Sequence, residues 1–182
     1  MVSVDNVAVL FDITMHLIQL GHRRIAFVEG PEGLSTSIQR RRGFENAMKQ
    51  ADLDAGLVFS SGFGIESGRV AATAMLAQEL PEAVIAATDE TAIGVMVTLR
   101  QAGIDVPRQV SVAGVDDTRY AQLTNLTTVR LPTYELGSLA AQQILEASQI
   151  ITDRTILLHR IIQRGSTTWA ARIVGQPHVS VG

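Results

Sequence analysis

The apolar positions of this chain alternate between two spacings along its length. Near the start, a spacing of three and four residues marks one face of a helix, carried by Leu10, Ile13, Leu17 and Leu20. Asp5 or Asn6 precedes this face as a candidate cap, and Gly21 follows it as a candidate left-handed stop. The continuous apolar run at 24–30 (RIAFVEG) then indicates a buried strand. The pattern therefore predicts a helix that leads directly into a strand.

The same alternation of helix and strand continues. Further helices are predicted at 35–50, 65–78, 90–103 and 133–148, and further strands at 57–62, 83–89, 110–117, 126–131 and 156–166. Ser35, Thr36 or Ser37 is the predicted cap of the second helix, and Thr133 that of the last. Apolar strands separated by helices are typical of an α/β fold whose parallel sheet is covered on both faces. The partial alternation of the last strand favours a sheet edge, and residues 173–182 are expected to be frayed.

Composition excludes several classes of protein. Of the 182 residues 46% are apolar, which is enough for a core, and 15 basic residues nearly balance 18 acidic ones. This balance argues against non-specific attraction to nucleic acid or to an acidic membrane. The chain has no cysteine, no apolar run long enough to span a bilayer and no basic region typical of a signal peptide at its start. We therefore expect a cytoplasmic protein with no membrane partner.

The fold rule for open α/β sheets selects candidate binding residues. Ligands bind beyond the carboxyl ends of the strands, so the loops after the predicted strands should crowd along one edge of the sheet. These loops and the helix starts that follow them carry Arg40, Phe63, Thr88, Asp89 and Asp116. Together they offer a guanidinium donor, an aromatic face, a hydroxyl and two carboxylates. This set suits a small ligand with several hydroxyl groups.

Each candidate also has a structural interpretation. Asp89 fits the N-cap of the following helix at least as well as it fits a ligand contact. Asp116, next to Asp117 at a strand end, could cap, bind or catalyse. Arg41 and Arg42 are expected on a solvated helix face, and His16 and His22 are expected to be structural. Ser35, Ser60 and Ser61 have no obvious histidine base.

Motifs of catalysis and metal binding are missing from the sequence. The first strand is followed by GPEG (30–33), which lacks the spacing of a dinucleotide-binding loop, and there is no P-loop and no G-x-S-x-G. His159 and His178 have no partner at metal-ligand spacing. The sequence therefore predicts no catalytic residue, no metal site and no cofactor. The alternation of helices and strands does not exclude an NAD-type enzyme, since a fold does not determine a function.

Several stretches resemble one protein family in order and spacing. They are VDN (4–6), HLIQLGHRRIAFVEG (16–30), R-x-x-GF (40–44), AATDETAIGVM (86–96), VSVAGVDD (110–117), LTTVRLPTYELG (126–137) and QRGST (163–167). Over about residues 3–168 the chain resembles the effector-binding core of the lac repressor/galactose repressor (LacI/GalR) family of bacterial transcription regulators. The runner-up is a sugar-binding solute receptor of a transporter, which shares the architecture.

The resemblance implies two Rossmann-like lobes of the type I periplasmic-binding-protein kind, with an effector between them. Arg40 and Asp116 would contact hydroxyls of a sugar or nucleoside-like effector, and Phe63 would pack on it. Asp89 matches the aspartate of the usual Asn-Asp pair, whereas Thr88 replaces the asparagine. The family works as a dimer and binds operator DNA through an N-terminal helix-turn-helix, which is expected to be missing from this chain.

The resemblance also implies a division of the chain. Residues 7–117 and 154–168 would form the C-terminal lobe, residues 126–149 a remnant of the N-terminal lobe, and residues 169–182 a tail. The remnant would be a strand and a helix without their sheet, and most of the first lobe would be missing. An apolar patch on its helix would then lie open, formed by Leu136, Ala140 and Ile144. We expect such a patch to self-associate or to dock onto the C-terminal lobe.

Overall fold

A computed structural model describes residues 2–60, 62–145 and 155–170 of the chain. The end of the predicted helix at 133–148 lies outside these residues, as do the last part of the expected remnant and the expected frayed end at 173–182. None of the described helices is both long and apolar enough to cross a bilayer.

Helices and strands alternate along the described chain. The helices are α1 (Asn6–Gln19), α2 (Ser35–Gln50), α3 (Ile65–Leu76), α4 (Asp89–Gln101), α5 (Arg119–Leu123) and α6 (Thr133–Leu145). The strands are β1 (Val2–Val4), β2 (Ile25–Glu29), β3 (Val58–Ser60), β4 (Ala83–Ala86), β5 (Ser111–Asp116), β6 (Thr127–Arg130), β7 (Thr155–Leu157) and β8 (Arg160–Ile162). The short helix α5 was not predicted from the sequence.

The main sheet has six strands in the order β3-β2-β4-β5-β6-β8. The first five strands are parallel, and β8 is antiparallel to β6 at the edge. The predicted α/β class with a mostly parallel sheet is confirmed. Because the strands are parallel, β2, β3, β4 and β5 all end at the same side of the sheet. The loops that carry the candidate residues therefore meet along one rim.

Two apolar layers cover the two faces of this sheet. On one face α1 and α2 pack around Leu10, Phe27 and Phe44, and the two phenylalanine rings stack with centroids 5.4 Å apart. On the other face α3, α4 and α5 pack around residues such as Met75 and Met96, which are almost fully buried. Burial of a large apolar side chain contributes about 1.5–3 kcal/mol, so these layers dominate the stability of the fold.

Glycine at position 43 lets α1 and α2 approach closely. A Cβ atom built on Gly43 would lie 3.0 Å from the Cβ of Leu10 and 3.0 Å from the backbone nitrogen of Phe11, and would also collide with the carbonyl oxygen of Val7. The glycine of the R-x-x-GF motif is therefore required by helix packing. This close contact fixes the middle of α2 against α1, about one turn after Arg40.

A second, two-stranded sheet is formed by β1 and β7, which are parallel. The expectation that the strand at 126–131 belongs to a separate remnant is wrong, because β6 pairs with β5 in the main sheet. The predicted last strand at 156–166 is likewise divided between the two sheets, since β7 pairs with β1 and β8 with β6. The chain passes between the sheets at Asp5, at Leu131–Pro132 and at Leu158–His159.

The helix α6 lies beside β1 rather than against the main sheet. No residue of α6 is buried, and Tyr134, Ile144 and Leu145 are 84%, 75% and 86% exposed. The structure therefore does not show this helix docked onto the main sheet and its helices, which was one of the two expected outcomes. Self-association of its apolar side chains stays a prediction.

The helix ends agree only in part with the sequence. Asp5 caps α1 by accepting hydrogen bonds from the backbone of Val7 and Ala8, and Gly21 is left-handed at φ +94°, both as predicted. The predicted serine and threonine caps of α2 are wrong, because the helix already begins at Ser35 and Leu34 occupies the cap position without a side-chain bond. The predicted cap of α6 at Thr133 is wrong for the same reason, because Thr133 is already the first residue of the helix.

The QRGST segment closes the other end of the sheet. Ser166 donates a hydrogen bond to Val112 O at 2.6 Å and accepts one from the backbone of Thr127 at 2.8 Å. The Thr168 carbonyl oxygen lies 2.9 Å from Nε2 of His22, which gives that buried histidine the structural role expected of it. This segment therefore joins β5, β6 and the turn before β2.

Candidate functional site

Arg40 lies at the centre of the rim, on the second turn of α2. The residue is 7% exposed, and its Nε donates a hydrogen bond to Oδ1 of Asn6 at 3.0 Å. Nη1 donates to the carbonyl oxygen of Ala87, at the end of β4, and Nη2 lies 3.9 Å from Oδ1 of Asp116. Burial lowers the pKa of Arg40, and the charge of Asp116 opposes this shift. Arg40 therefore presents a fixed, desolvated guanidinium next to a carboxylate.

Asp116 ends β5 in an unusual backbone conformation. Its φ is +119°, and that of Asp117 is +56°, so two successive aspartates lie in the region that most residues avoid. The Asp116 side chain is 33% exposed. Burial raises its pKa from 3.8 to about 6, the charges of Asp89 and Glu90 raise it further, and Arg40 lowers it. The Asp116 carboxylate thus faces solvent at the rim with little to stabilise its charge except Arg40.

Asp117 holds this turn in place. Its side chain is 2% exposed, and its two oxygens accept hydrogen bonds from Nε of Arg130 and Nη2 of Arg164, each at 2.6 Å. Burial raises the pKa of Asp117, but the hydrogen bonds and charges of Arg164 and Arg130 outweigh burial and lower it overall. Sequence reasoning identified the aspartate pair but missed both arginines, which are distant in sequence and belong to the LTTVRL and QRGST motifs.

Asp89 lies under the rim and is not open to a ligand in this conformation. The residue is fully buried, and its carboxylate accepts hydrogen bonds from Oγ1 of Thr128 at 2.5 Å and from the backbone of Thr118 at 2.7 Å. Burial raises its pKa most strongly, and these hydrogen bonds oppose that shift. The prediction that Asp89 caps the helix is wrong, because Thr88 does so by accepting from the backbone of Thr91. Asp89 positions the segment that follows Asp116.

Thr88 therefore has a structural partner at the place where the sequence predicted a ligand contact. Its Oγ1 lies 3.3 Å from the backbone nitrogen of Thr91 and 2.9 Å from Oγ1 of the same residue. The residue is half-buried, at the end of β4 next to Ala87, whose carbonyl oxygen receives Arg40. Thr88 lies near the arginine, with its hydroxyl already bonded locally.

Phe63 lies farther along the rim, in the loop between β3 and α3. Its ring is 45% exposed and packs over Gly30, the first residue after β2. A Cβ atom on Gly30 would lie 2.7 Å from Cζ of Phe63, so a larger residue there would displace the ring. The ring presents an apolar face to the same side of the sheet as Arg40 and Asp116.

Two cavities open along this side. One, of about 430 Å³, lies between the end of β5 and the start of α6, and its walls include Asp116, Arg130, Tyr134 and Arg160. The sequence did not identify the last three as candidate residues: Arg130 and Tyr134 lie in the LTTVRLPTYELG stretch, but no rule for strand ends placed them at the rim, and Arg160 lies outside the quoted motifs. The other cavity, of about 670 Å³, lies at the β3 edge and is lined by the first turns of α2 and by Arg41. Phe63 and Arg40 line neither cavity.

The chemistry of this rim is that of hydrogen bonding rather than catalysis. Arginine donates a fork of hydrogen bonds, and a carboxylate accepts them from hydroxyls. Within the described residues no three histidine, aspartate or glutamate side chains are grouped in a way that could hold a metal ion. Arg41, as expected for a helix face, forms ion pairs with Glu29 at 3.2 Å and Glu45 at 2.9 Å, both away from Asp116.

A parallel α/β sheet with a polar rim, connected to a second sheet at three points, is the architecture of the periplasmic-binding-protein-like class. The sequence profile described as periplasmic binding protein-like domain matches residues 14–167. The chain belongs to this family, as an effector-binding region of the LacI/GalR type.

The relatives are transcriptional regulators. The HTH-type transcriptional regulator MalR of Streptomyces coelicolor is 33% identical over 187 residues, which cover 97% of this chain and 54% of MalR. The regulator reg1 of Streptomyces lividans is 32% identical over 191 residues, which cover 97% of this chain and 54% of reg1. A LacI family regulator from Enterococcus faecium, solved with bound ribose, is 25% identical, has a TM-score of 0.86, and aligns over 93% of this chain and 66% of its own.

These similarities decide between two of the predicted classes. The chain spans about half the length of the curated relatives it matches. Because those relatives are regulators, the interpretation as a regulator is favoured over that as a transporter receptor. The relatives themselves are regulators and not enzymes, which agrees with the prediction that the sequence carries no catalytic motif.

Proposed function

We propose that this chain is the effector-sensing part of a transcriptional regulator, and that the pair formed by Arg40 and Asp116 is the core of its effector site. The observation that carries the proposal is the 3.9 Å approach of Arg40 Nη2 to Asp116 Oδ1 at the rim where β2, β3, β4 and β5 end. One group donates hydrogen bonds and the other accepts them. A single hydroxyl group, which does both, can therefore bridge them.

The ligand class that fits is a small neutral polyol, such as a sugar or nucleoside. Phe63 supplies an apolar face at the same rim, and Asp116 and Arg40 balance each other in charge, so an ionic ligand would leave one of them unpaired. The bound ribose of the Enterococcus faecium regulator supports this class. Thr88 is a second candidate contact, through an oxygen lone pair not used by Thr91, whereas Asp89 is assigned a positioning role.

The two sheets suggest how binding is transmitted. We assign residues 7–117 and 159–168, together with β6, to one lobe, and β1, α6 and β7 to part of the other. An effector that bridges the rim of the main sheet and the start of α6 would favour one relative orientation of the two sheets. Operator binding then belongs to a helix-turn-helix of the full-length regulator, and the protein acts in the cytoplasm, where its DNA target is.

Calorimetry with neutral probes tests the site. D-ribose, D-glucose, maltose and adenosine are titrated into the wild-type chain and into Arg40→Gln and Asp116→Asn. We expect saturable binding of at least one probe, weakened at least tenfold in both variants, because each removes one half of the bridge. Arg41→Gln is the matched control on the same helix and should leave affinity within twofold. No binding of any probe to the wild type, or equal loss in the control, contradicts the proposal.

A homodimer is the proposed assembly, through the helices on the α3 side of the sheet. Exposed apolar side chains lie on three helices packed in sequence, α3, α4 and α5: Ile65, Val70, Val97, Tyr120 and Leu123. Leu123 is 78% exposed, and exposed apolar side chains grouped on neighbouring helices in this way mark an interaction surface. Sedimentation velocity should give a dimer that Leu123→Glu dissociates and that Tyr134→Glu, on the exposed surface of α6, leaves intact. A monomeric wild type contradicts this assembly.

A further inference from the structure

The guanidinium of Arg40 is held by two neutral acceptors. Its Nε donates a hydrogen bond to Oδ1 of Asn6 at 3.0 Å, and its Nη1 donates to the carbonyl oxygen of Ala87. Because Arg40 is only 7% exposed, solvent offers the guanidinium few other partners. Neither an amide nor a carbonyl neutralises a positive charge. The charge of Arg40 is therefore left for Asp116 and for a ligand that binds beside it.

The ion pair between Arg40 and Asp116 is not closed by a hydrogen bond. Nη2 of Arg40 lies 3.9 Å from Oδ1 of Asp116, whereas a charge-assisted hydrogen bond between these groups is about 2.7–2.9 Å long. Asp117, the next residue, accepts hydrogen bonds from Arg130 and Arg164 at 2.6 Å each. Arginines next to this turn can thus close onto a carboxylate. A local restraint therefore holds Arg40 away from Asp116.

Asn6 lies where such a restraint is needed. It is the first residue of α1 and is half-buried. The backbone that carries it is fixed, because Asp5 accepts hydrogen bonds from the first turn of α1 and Gly43 packs against the carbonyl oxygen of Val7. An amide on a fixed backbone that binds Nε of Arg40 limits how far the other end of the guanidinium can move.

Helix formation does not require an asparagine at position 6. Asp5 already supplies the cap of α1, and alanine favours a helix more than asparagine does. The side-chain oxygen of Asn6 instead accepts a hydrogen bond from a different helix, through Arg40. An aspartate could accept the same hydrogen bond, but its charge would compete with Asp116 for the guanidinium. A neutral acceptor of this length therefore fixes the arginine and leaves its charge available.

We infer that Asn6 is a positioning residue of the effector site, which holds Arg40 apart from Asp116 so that the gap between them stays open for a hydroxyl group of the ligand. A hydroxyl oxygen about 2.8 Å from each of two atoms can lie between them when they are 3.9 Å apart. It then accepts from Nη2 and donates to Oδ1. This role in binding rests on the proposed effector function.

The spacing can be tested without a ligand, because the pKa of Asp116 reports how closely Arg40 approaches it. Burial is the main cause that raises this pKa to about 6; Arg40 opposes burial, and Asp89 and Glu90 add to it. Carbon-13 NMR follows the carboxyl carbon, assigned with Asp116→Asn. Asn6→Ala should let Arg40 close onto the carboxylate and lower the pKa by about one pH unit. Asn6→Asp keeps the acceptor and adds a competing charge, so it should raise the pKa by about half a pH unit or more.

The opposite directions of these two shifts are the result that a merely structural asparagine would not give, since a disturbed helix start would change the pKa in the same direction in both variants. Asn46→Ala, the same substitution at an exposed position of α2, is the matched control and should leave the pKa of Asp116 unchanged. A pKa that is unchanged or raised in Asn6→Ala overturns the inference. Circular dichroism establishes that each variant is folded. If Asn6→Ala does not fold, Asn6→Asp decides, because an acidic residue suits the first turn of a helix, and a pKa that does not rise overturns the inference.

The role in binding is tested with the probe that the wild-type chain binds best among D-ribose, D-glucose, maltose and adenosine. Asn6→Ala should weaken that probe by about fivefold or more, because the ligand must then open a closed ion pair. Asn46→Ala should leave the affinity within about twofold of the wild type. An unchanged affinity in Asn6→Ala overturns the role in binding. If no probe binds the wild type, the proposed function fails and this role fails with it, whereas the spacing of Arg40 and Asp116 is still decided by the NMR titrations.

Discussion

Substitution of Asp116 by asparagine tests whether the rim carries a charge that opposes folding. Burial raises the pKa of Asp116 from 3.8 to about 6, with Asp89 and Glu90 adding to the shift and Arg40 opposing it. The folded chain therefore holds a proton on this carboxyl more tightly than the unfolded chain does. Stability from this group is complete below pH 3.8 and is lost as the pH rises through 6.

The magnitude follows from the size of the shift. A shift of one pKa unit corresponds to about 1.4 kcal/mol, so a shift of about two units corresponds to about 3 kcal/mol at most. Because the Asp116 side chain is 33% exposed, solvent screening reduces this to about 1–2 kcal/mol. We therefore expect Asp116→Asn to raise the free energy of unfolding by about 1–2 kcal/mol relative to the wild type at pH 7.5. At pH 4 the difference should shrink by that amount, because the wild-type carboxyl is then protonated in the folded chain.

Urea unfolding at pH 4, 5, 6 and 7.5 measures this difference. Asparagine also tolerates the positive φ at position 116, but any gain from the backbone is independent of pH and appears as a constant offset. The pH-dependent part of the difference is therefore the quantity that reports the charge. A variant that is less stable at pH 7.5, or a difference that does not change with pH, would refute this account of the site.

Three further predictions concern the scaffold. Asp117→Asn removes a carboxylate bound by Arg130 and Arg164, and should lower the free energy of unfolding by about 2 kcal/mol or more at pH 7; a loss below about 0.5 kcal/mol in urea unfolding would contradict this. Because the pKa of Asp117 is lowered, that loss should fade as the pH falls below 3.8. Gly43→Ala should cost about 1–3 kcal/mol by overpacking, seen as a lower urea midpoint, and an unchanged midpoint would show that the helices yield freely. Burial, opposed by hydrogen bonding and a nearby charge, lowers the pKa of His22, so stability from neutral histidine is lost as the pH falls below 6.5, and His22→Gln should flatten the decline of Tm with acid.

The main sheet could be predicted from the sequence because its strands are continuous apolar runs. The run that contains Phe27 indicates a strand buried on both faces, and helices on either side of it in sequence favour a parallel sheet, so together they indicate the fold class and the rim. The cap at Asp5 could also be predicted, because this aspartate directly precedes a clear apolar helix face. Arg40 and Asp116 were predicted at that rim, and the structure brings them together.

The errors arose where long-range pairing decides the outcome. β6 was assigned to a separate lobe because the family resemblance implied that division, and local sequence does not show that β6 pairs with β5 beyond the short helix α5. The assignment of Asp89 failed because the residue's partners, Thr118 and Thr128, lie about 30 and 40 positions away, as the contacts with its carboxylate oxygens show. Local propensity identifies a capping position but does not reveal which of two adjacent polar residues will be buried.

The closure of the main sheet by its last segment has a consequence for biosynthesis. Val112 lies in the middle of the sheet, yet its backbone is hydrogen-bonded to Ser166, and β6 acquires its outer neighbour only from β8. During translation, the strands up to β6 therefore emerge with one edge open until some thirty more residues have been made. An exposed edge of this kind is prone to wrong pairing. The nascent chain should thus depend on late closure, and truncations before position 160 should aggregate rather than form a smaller stable domain.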